Sequence, residues 1–499
     1  MDKEHASNKH ATDSRASPVN PGAKLRPGYT PELDRLNGFQ FGSQIQNLPS
    51  EIAWDNVENE AASLLSRYIQ FDTTNPPGNE AVAIEFLADL LRQRGFEPKI
   101  IRSAPGRANL ITRLAGPAKP VAPPCVLYAH ADVVPAVSTD WSVPPFGGQI
   151  RDGFVWGRGA LDDKGLGIIF LQALTLLKQV SAPLNRDVIL LIAADEEMGG
   201  RHGVAWLLDN HPELIRAEYV WDEGGMGVRR ANGHYLYNIA VAEKGPLTVR
   251  LIARGTPGHA ALPQSNNSQD RLVTALARIK RWTRPPRLTK AVIAMLKALA
   301  SEQRFPQSLL FAKADLSVVW PFLRPLLESN PMFAPLIRNT INLTMLKGGE
   351  TSNVIPAQAE AKLDIRLLPG EDPDVVLADL RSIISDPNVS VVPEEMPTPH
   401  VSMSKDSEFY HALAYTLQAM APPGTIVPYL TPGATDSRFF RRARMQAYGF
   451  MPMLLDSQEL NRIHGIDERV SLANLRWGIQ FVVAALLKLG NAVSKLSSQ

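Results

Sequence analysis

Histidines and carboxylates fall at the ends of apolar runs in this 499-residue chain. The run 125–129 is followed by His130-Ala131-Asp132, and the run 188–194 by Asp195-Glu196-Glu197. A third run ends in Val220-Trp221, and Asp222-Glu223 come next. Between the first two lies the Gly-rich turn Gly157-Arg158-Gly159-Ala160-Leu161-Asp162-Asp163, and late in the chain stands His464. Alone, each is an ordinary surface group. Together they crowd negative charge, and like-charged carboxylates repel unless cations neutralise them. Two divalent ions would do so, a bridging carboxylate would hold them, and a neighbouring carboxylate would serve as general base. The single cysteine, Cys125, excludes a disulfide framework and any thiolate cage, so a metal must be held by His, Asp and Glu. Such ligands suit Zn2+, with Mn2+ or Co2+ as substitutes.

The elements that would position these groups follow from periodicity. Continuous apolar runs such as 188–194 are typical of parallel strands buried on both faces. Residues 81–94 and 166–178 have helical spacing, the first stopping at Gly95. Alternating β and α units predict an α/β fold with a helix-covered, mixed but largely parallel sheet. In such sheets, sites form outside the carboxyl ends of strands. After Gly245 the pattern changes: Leu247, Val249 and Leu251 alternate with Thr248 and Arg250, as in a half-exposed strand. The expected organisation is a disordered arm (1–45), a catalytic domain in two parts (46–245 and 396–499), and an inserted α+β lid and dimerisation domain (246–395).

Lys plus Arg is 52 and Asp plus Glu is 50, a net charge of +2, so no field steers nucleic acid or anionic membranes. No Gly-rich Lys-Ser/Thr loop and no Gly-x-Ser-x-Gly elbow is present. No signal-peptide run opens the chain, and the apolar stretch 479–489 is too short to span a bilayer, reading instead as a core helix. A cytoplasmic protein is expected.

Several segments resemble, in order, the signatures of the M20 family of di-zinc metallopeptidases, which includes glutamate carboxypeptidase, aminoacylase-1 and carnosinase. They are Tyr128-Ala129-His130-Ala131-Asp132-Val133-Val134-Pro135, Trp156 to Gly165, Asp195-Glu196-Glu197-Met198-Gly199, Gly255-Thr256-Pro257-Gly258-His259-Ala260, Thr351-Ser352-Asn353-Val354-Ile355-Pro356 and Asp364-Ile365-Arg366-Leu367. Trp221-Asp222-Glu223-Gly224-Gly225, Thr435-Asp436-Ser437-Arg438 and the segment around His464 look most like the branch of yeast Gly-X carboxypeptidase and the N-fatty-acyl-amino-acid hydrolases.

The resemblance implies roles. His130, Asp162, Glu197, Glu223 and His464 would bind metal, with Asp162 bridging and Asp222 the lesser alternative to Glu223. Asp132 would orient His130, and the Asp162–Asp163 peptide would be cis. Glu196 would activate a metal-bound water as general base. His259 would stabilise the oxyanion, often across a dimer interface, while Arg366 would bind a substrate carboxylate and Asn353 touch the substrate. The implied function is zinc-dependent hydrolysis of a peptide or N-acyl-amino-acid bond next to a free carboxylate. Hydrolysis of another small-molecule or xenobiotic amide at the same site, and a non-catalytic binding relative, are the alternatives. The expected partners are a small-molecule substrate and a second copy of the chain, with no nucleic acid and no membrane. The segment between His259 and Asn353 (353 − 259 = 94 positions) is rich in Leu, Phe, Pro and Arg, and could shape an apolar acyl pocket.

Overall fold

Two six-residue apolar runs make the centre of the structure, a computed structural model that describes residues 52–117, 120–396 and 403–496. Cys125–His130 and Val188–Ala193 are buried at every position and pair in parallel. No face of either strand is left for solvent, which is why they lack the alternation of the other strands. Around them the sheet reaches ten strands. Its path runs Lys99–Ala104, Arg107–Leu114, Val188–Ala193, Cys125–His130, Tyr219–Asp222, Gln446–Gly449, Tyr235–Glu243, Gly227–Arg229 and Leu454–Leu455. Gly424–Thr431 joins alongside Tyr235–Glu243 in parallel. The sheet is mixed: the centre is parallel, and Lys99–Ala104 and Arg107–Leu114 close one edge antiparallel.

Helices cover the sheet. Lys164–Gln179 is buried along almost its whole length, and the 25-residue helix Leu472–Leu496 packs against it. The last helix is longer than its apolar stretch implied, because Asn474, Arg476 and Gln480 break the pattern without ending the helix. Over Leu472–Gly490 it is long and apolar enough to cross a membrane by length and composition, yet 78% of that window is buried inside the fold.

A second sheet of four antiparallel strands has the order Thr340–Gly348, Gln358–Leu367, Gly245–Arg254, Val389–Glu395. Helices Ser268–Arg281 and Pro373–Ile384 press Leu272, Ile279, Leu377 and Leu380 onto Leu247, Val249, Leu363 and Ile365, making a separate core. The middle of the span expected for the inserted domain behaves differently. Helices Lys290–Ala298, Gln307–Ala312 and Trp320–Ser329 place Val292, Leu296, Phe311 and Leu323 in the core of the large sheet, the first of them against Gly424–Thr431. Their apolar faces are short and split by prolines, so the sequence does not say which sheet they cover. The N-terminal arm, residues 1–45, lies outside the described residues.

The two sheets join at Lys244, between Tyr235–Glu243 and Gly245–Arg254. Its side chain is fully buried, and Nζ donates to the carbonyls of Pro335 and Arg338 at 2.9 Å and to Thr340 Oγ1 at 3.0 Å. Burial pushes its pKa down to about 7.

Candidate metal centre

The expected ligands meet at the carboxyl rim of the large sheet. His130 ends its strand with its ring wholly buried. Nδ1 lies 2.9 Å from the main-chain oxygen of Asp132, and a carbonyl only accepts. That contact fixes the proton on Nδ1 and turns Nε2 toward Asp162 Oδ1 at 2.9 Å. The carboxylate of Asp132 sits farther, at 3.5 Å, so it is not the nearest partner of the imidazole. It holds the next strand end instead: Oδ1 accepts from Glu196 N and Oδ2 from Glu197 N, each at 3.1 Å.

Asp162 stands between two histidines. Its Oδ1 faces His130, and its Oδ2 lies 3.1 Å from His464 Nε2, which is also 3.3 Å from Glu197 Oε1. Two triads share this carboxylate: His130, Asp162 and Glu223, and Asp162, Glu197 and His464. In each, the ligand atoms lie within 4.8 Å of one another. The Asp162–Asp163 peptide is cis. Glu223 belongs to the first triad, whereas Asp222 is turned away. Its Oδ2 accepts from Ser437 Oγ at 2.6 Å and Thr435 Oγ1 at 3.2 Å.

The electrostatics ask for cations. Burial raises the pKa of both Glu196 and Glu223 well above the carboxylate range. Neighbouring carboxylates add to it: Asp436 and Glu197 beside Glu196, and Asp162 and Glu196 beside Glu223. His464 is pushed up to about 10 by its hydrogen bonds to Asp162 and Glu197. Burial alone would lower His130, but Asp132 and Asp162 carry it well above its usual value. A set of two imidazoles and three carboxylates, one shared, fits two divalent ions.

Glu468 and Arg158 hold this geometry. Glu468 Oε1 accepts from Leu161 N at 2.7 Å and Asp162 N at 3.0 Å, and Oε2 from Gly159 N at 3.1 Å. Arg158 pairs with Glu468 and donates to the carbonyl of Gly465 at 2.9 Å, tying the Asp162 turn to the His464 segment. A conspicuous signal was the Arg inside Gly157-Arg158-Gly159, since a charge inside a tight turn needs a partner. Asn75, Arg107 and Asp195 also went unassigned.

The expected substrate contacts are not brought together within one chain. His259 is exposed on the two-residue strand Gly258–His259, paired with Val354–Ile355, and Ala260 N donates to Asn353 O. So His259 and Asn353 sit together at a separate two-stranded ribbon, which the chain reaches beyond the Arg254–Gln358 end of the small sheet. Arg366 stands near the other end: Arg254 pairs with Gln358, and Pro246 with Arg366. The eight steps between (366 − 358) span about 27 Å at the usual strand rise. Arg366 is also engaged, its Nε and Nη2 donating to the two Asp364 oxygens at 2.8 and 2.9 Å. It lines a cavity of about 1010 Å³ with Trp282, Asn342 and Pro432.

Comparison with known proteins places these observations. The sequence profile described as Peptidase family M20/M25/M40 matches residues 126–488. The chain is 33% identical over 367 residues to the N-fatty-acyl-amino acid synthase/hydrolase of Xenopus tropicalis, covering 72% of this chain and 71% of that one. It is 28% identical over 438 residues to aminoacylase-1B of Rattus norvegicus, covering 86% and 96%. Among solved structures, the M20 family metallo-carboxypeptidase Sso-CP2 of Sulfolobus solfataricus superposes with a TM-score of 0.67 at 19% identity, covering 86% of this chain and 99% of that one.

Proposed function

The chain belongs to Peptidase family M20/M25/M40, and from that premise we propose that it is a dinuclear zinc hydrolase of amide bonds next to a free carboxylate. Its substrates are N-acyl amino acids or dipeptides. The carrying observation is the pair of ligand triads sharing Asp162, with Glu196 on the same turn as Glu197. His130, Asp162 and Glu223 would hold one ion, and Asp162, Glu197 and His464 the other. Zn2+ suits these ligands, and Mn2+ or Co2+ would substitute. Bound there, the ions supply Lewis acidity and neutralise the crowded carboxylates.

The chain's own residues do the rest. Glu196 takes a proton from the attacking water and returns it to the leaving amine. Its raised affinity for a proton, from burial and from Asp436 and Glu197, suits that exchange. The His130 tautomer is fixed from behind by Asp132, leaving Nε2 free for metal. Arg366 offers a two-pronged donor for the substrate carboxylate, in exchange for Asp364. The names of the frog and rat relatives, an N-fatty-acyl-amino acid synthase/hydrolase and an aminoacylase, favour an N-acyl amino acid over other amides. His259 and Asn353, which lie beyond the Arg254–Gln358 end of the ladder that carries Arg366 toward its other end, act in the site of a second copy, so the working unit is a homodimer.

A panel of N-acyl amino acids and dipeptides, assayed after chelation and repletion with Zn2+, Mn2+ or Co2+, tests the reading. Metal-dependent release of a free amino acid supports it. No turnover with any metal, or turnover insensitive to chelator, contradicts it.

A further inference from the structure

A buried ionic cluster lies behind the metal centre, and the mechanism above leaves it unused. Arg107, 7% exposed, opens the strand Arg107–Leu114. Its Nε lies 2.9 Å from Glu80 Oε2, and its Nη2 2.6 Å from Asp195 Oδ1. Nη1 donates to the carbonyl of Pro77 at 2.8 Å. Asn75, 3% exposed, stands next to it, and its Nδ2 donates both to Asp195 Oδ1 at 3.0 Å and to Asp132 Oδ2 at 2.8 Å. The loop closes tightly on the guanidinium: Gly78 has φ +79°, and a Cβ there would meet Arg107 Cζ at 2.4 Å.

Both carboxylates that Asn75 bridges act on the catalytic turn. Asp195 is left-handed, with φ +72°, and begins the turn Glu196–Met198. Its Oδ2 accepts from His202 N at 3.0 Å, fastening the far side of that turn. Asp132 accepts from the amides of Glu196 and Glu197 and lies against the His130 ring. Three carboxylates, from Glu80, Asp132 and Asp195, therefore converge on one arginine and one amide. Buried charges are held only where paired and hydrogen-bonded, so removing either partner must disturb the carboxylates that remain.

We propose that Asn75 and Arg107 are positioning residues, which set the Asp195 turn and the Asp132 carboxylate so that Glu196, Glu197 and His130 meet the metals together. The effect on turnover rests on the function proposed above; the effect on metal affinity does not. Groups that orient metal ligands typically change affinity 10–100-fold.

The experiment uses the full chain, stripped of metal and titrated with Zn2+ against a competing chelator. Asn75→Ala is expected to raise the Zn2+ Kd about 10–100-fold and to lower kcat by a similar factor, with KM within about two-fold. Arg107→Lys keeps the charge but not the fork, so it should fold and show a smaller shift in the same direction. Leu87→Ala, in the core on the helix that Glu80 begins, lowers the melting temperature without touching the cluster and should leave the Zn2+ Kd unchanged. Asn75→Ala and Arg107→Lys proteins that melt lower, yet bind Zn2+ with wild-type affinity, overturn the proposal and leave the cluster a stability element. If the wild type hydrolyses no amide while the Kd shifts appear, the proposed function fails and the positioning role stands.

Discussion

The rim of the large sheet and the small sheet present their functional residues in opposite ways. At the rim, five ligand-type residues come from separate segments, and buried main-chain and ionic contacts hold them within a few ångströms. Glu468 and Arg158 clamp the Asp162 and His464 segments together, and Asp132 and Asn75 clamp the His130 and Glu197 segments. On the small sheet, one ladder carries Arg366 near one end and closes with Arg254–Gln358 at the other, beyond which a separate two-stranded ribbon carries His259. The small sheet's edge strand Thr340–Gly348 exposes Leu343, Met345 and Leu346 to solvent. The two candidate triads are complete within one chain, whereas the expected substrate contacts lie apart.

That contrast can be broken in order of expected effect. His130→Ala removes a ligand that no neighbour replaces, and kcat/KM should fall more than about 10³-fold, since the metals supply several kcal/mol of charge stabilisation. Metal content and initial rates check this. Glu196→Gln keeps the turn but loses the base, so kcat should drop about 10²–10⁴-fold while metal content stays at the wild-type level. On the small sheet, His259→Ala should cost about 10²-fold in kcat, the scale of one oxyanion donor. Mixing His259→Ala with Glu196→Gln protein should give more activity than the sum of the two alone if the histidine serves the other copy. Arg366→Ala should raise KM about 10–100-fold, the worth of a charged hydrogen-bond pair, with kcat little changed. Lys244→Met, at the junction, leaves three acceptors without their donor and should cost about 1–3 kcal/mol of stability, read by urea unfolding.

The same contrast governs what could be read from the sequence. The rim was legible because His130, Glu197 and Glu223 come just after apolar runs, and a run buried on both faces is visible without knowing its neighbours. Strands such as Cys125–His130 and Val188–Ala193 therefore carried both the fold class and the position of the site. Glu223 and Asp222 could not be separated by spacing: adjacent residues point to opposite faces, and only Ser437 and Thr435 decide which face claims Asp222. The orientation of His130 came out differently, because its acceptor is a main-chain oxygen, which leaves no mark in the side-chain pattern. Helices within 290–337 fall in the inserted part by position along the chain, but their apolar faces meet the large sheet. Burial partners of short, proline-broken helices are a matter of tertiary packing, beyond the reach of periodicity. Arg107, Asn75 and Asp195 went unseen for a related reason: their meaning lies in contacts between segments up to 120 positions apart.

The central claim is that one chain builds two metal positions around a shared Asp162. Calorimetric titration of the stripped protein with Zn2+, followed by assay on an N-acyl amino acid, tests it most directly. Two ions bound per chain, with activity returning as they bind and both lost in Asp162→Asn, is the expected result. A stoichiometry below two, or an Asp162→Asn protein that keeps both ions at wild-type affinity, would contradict it.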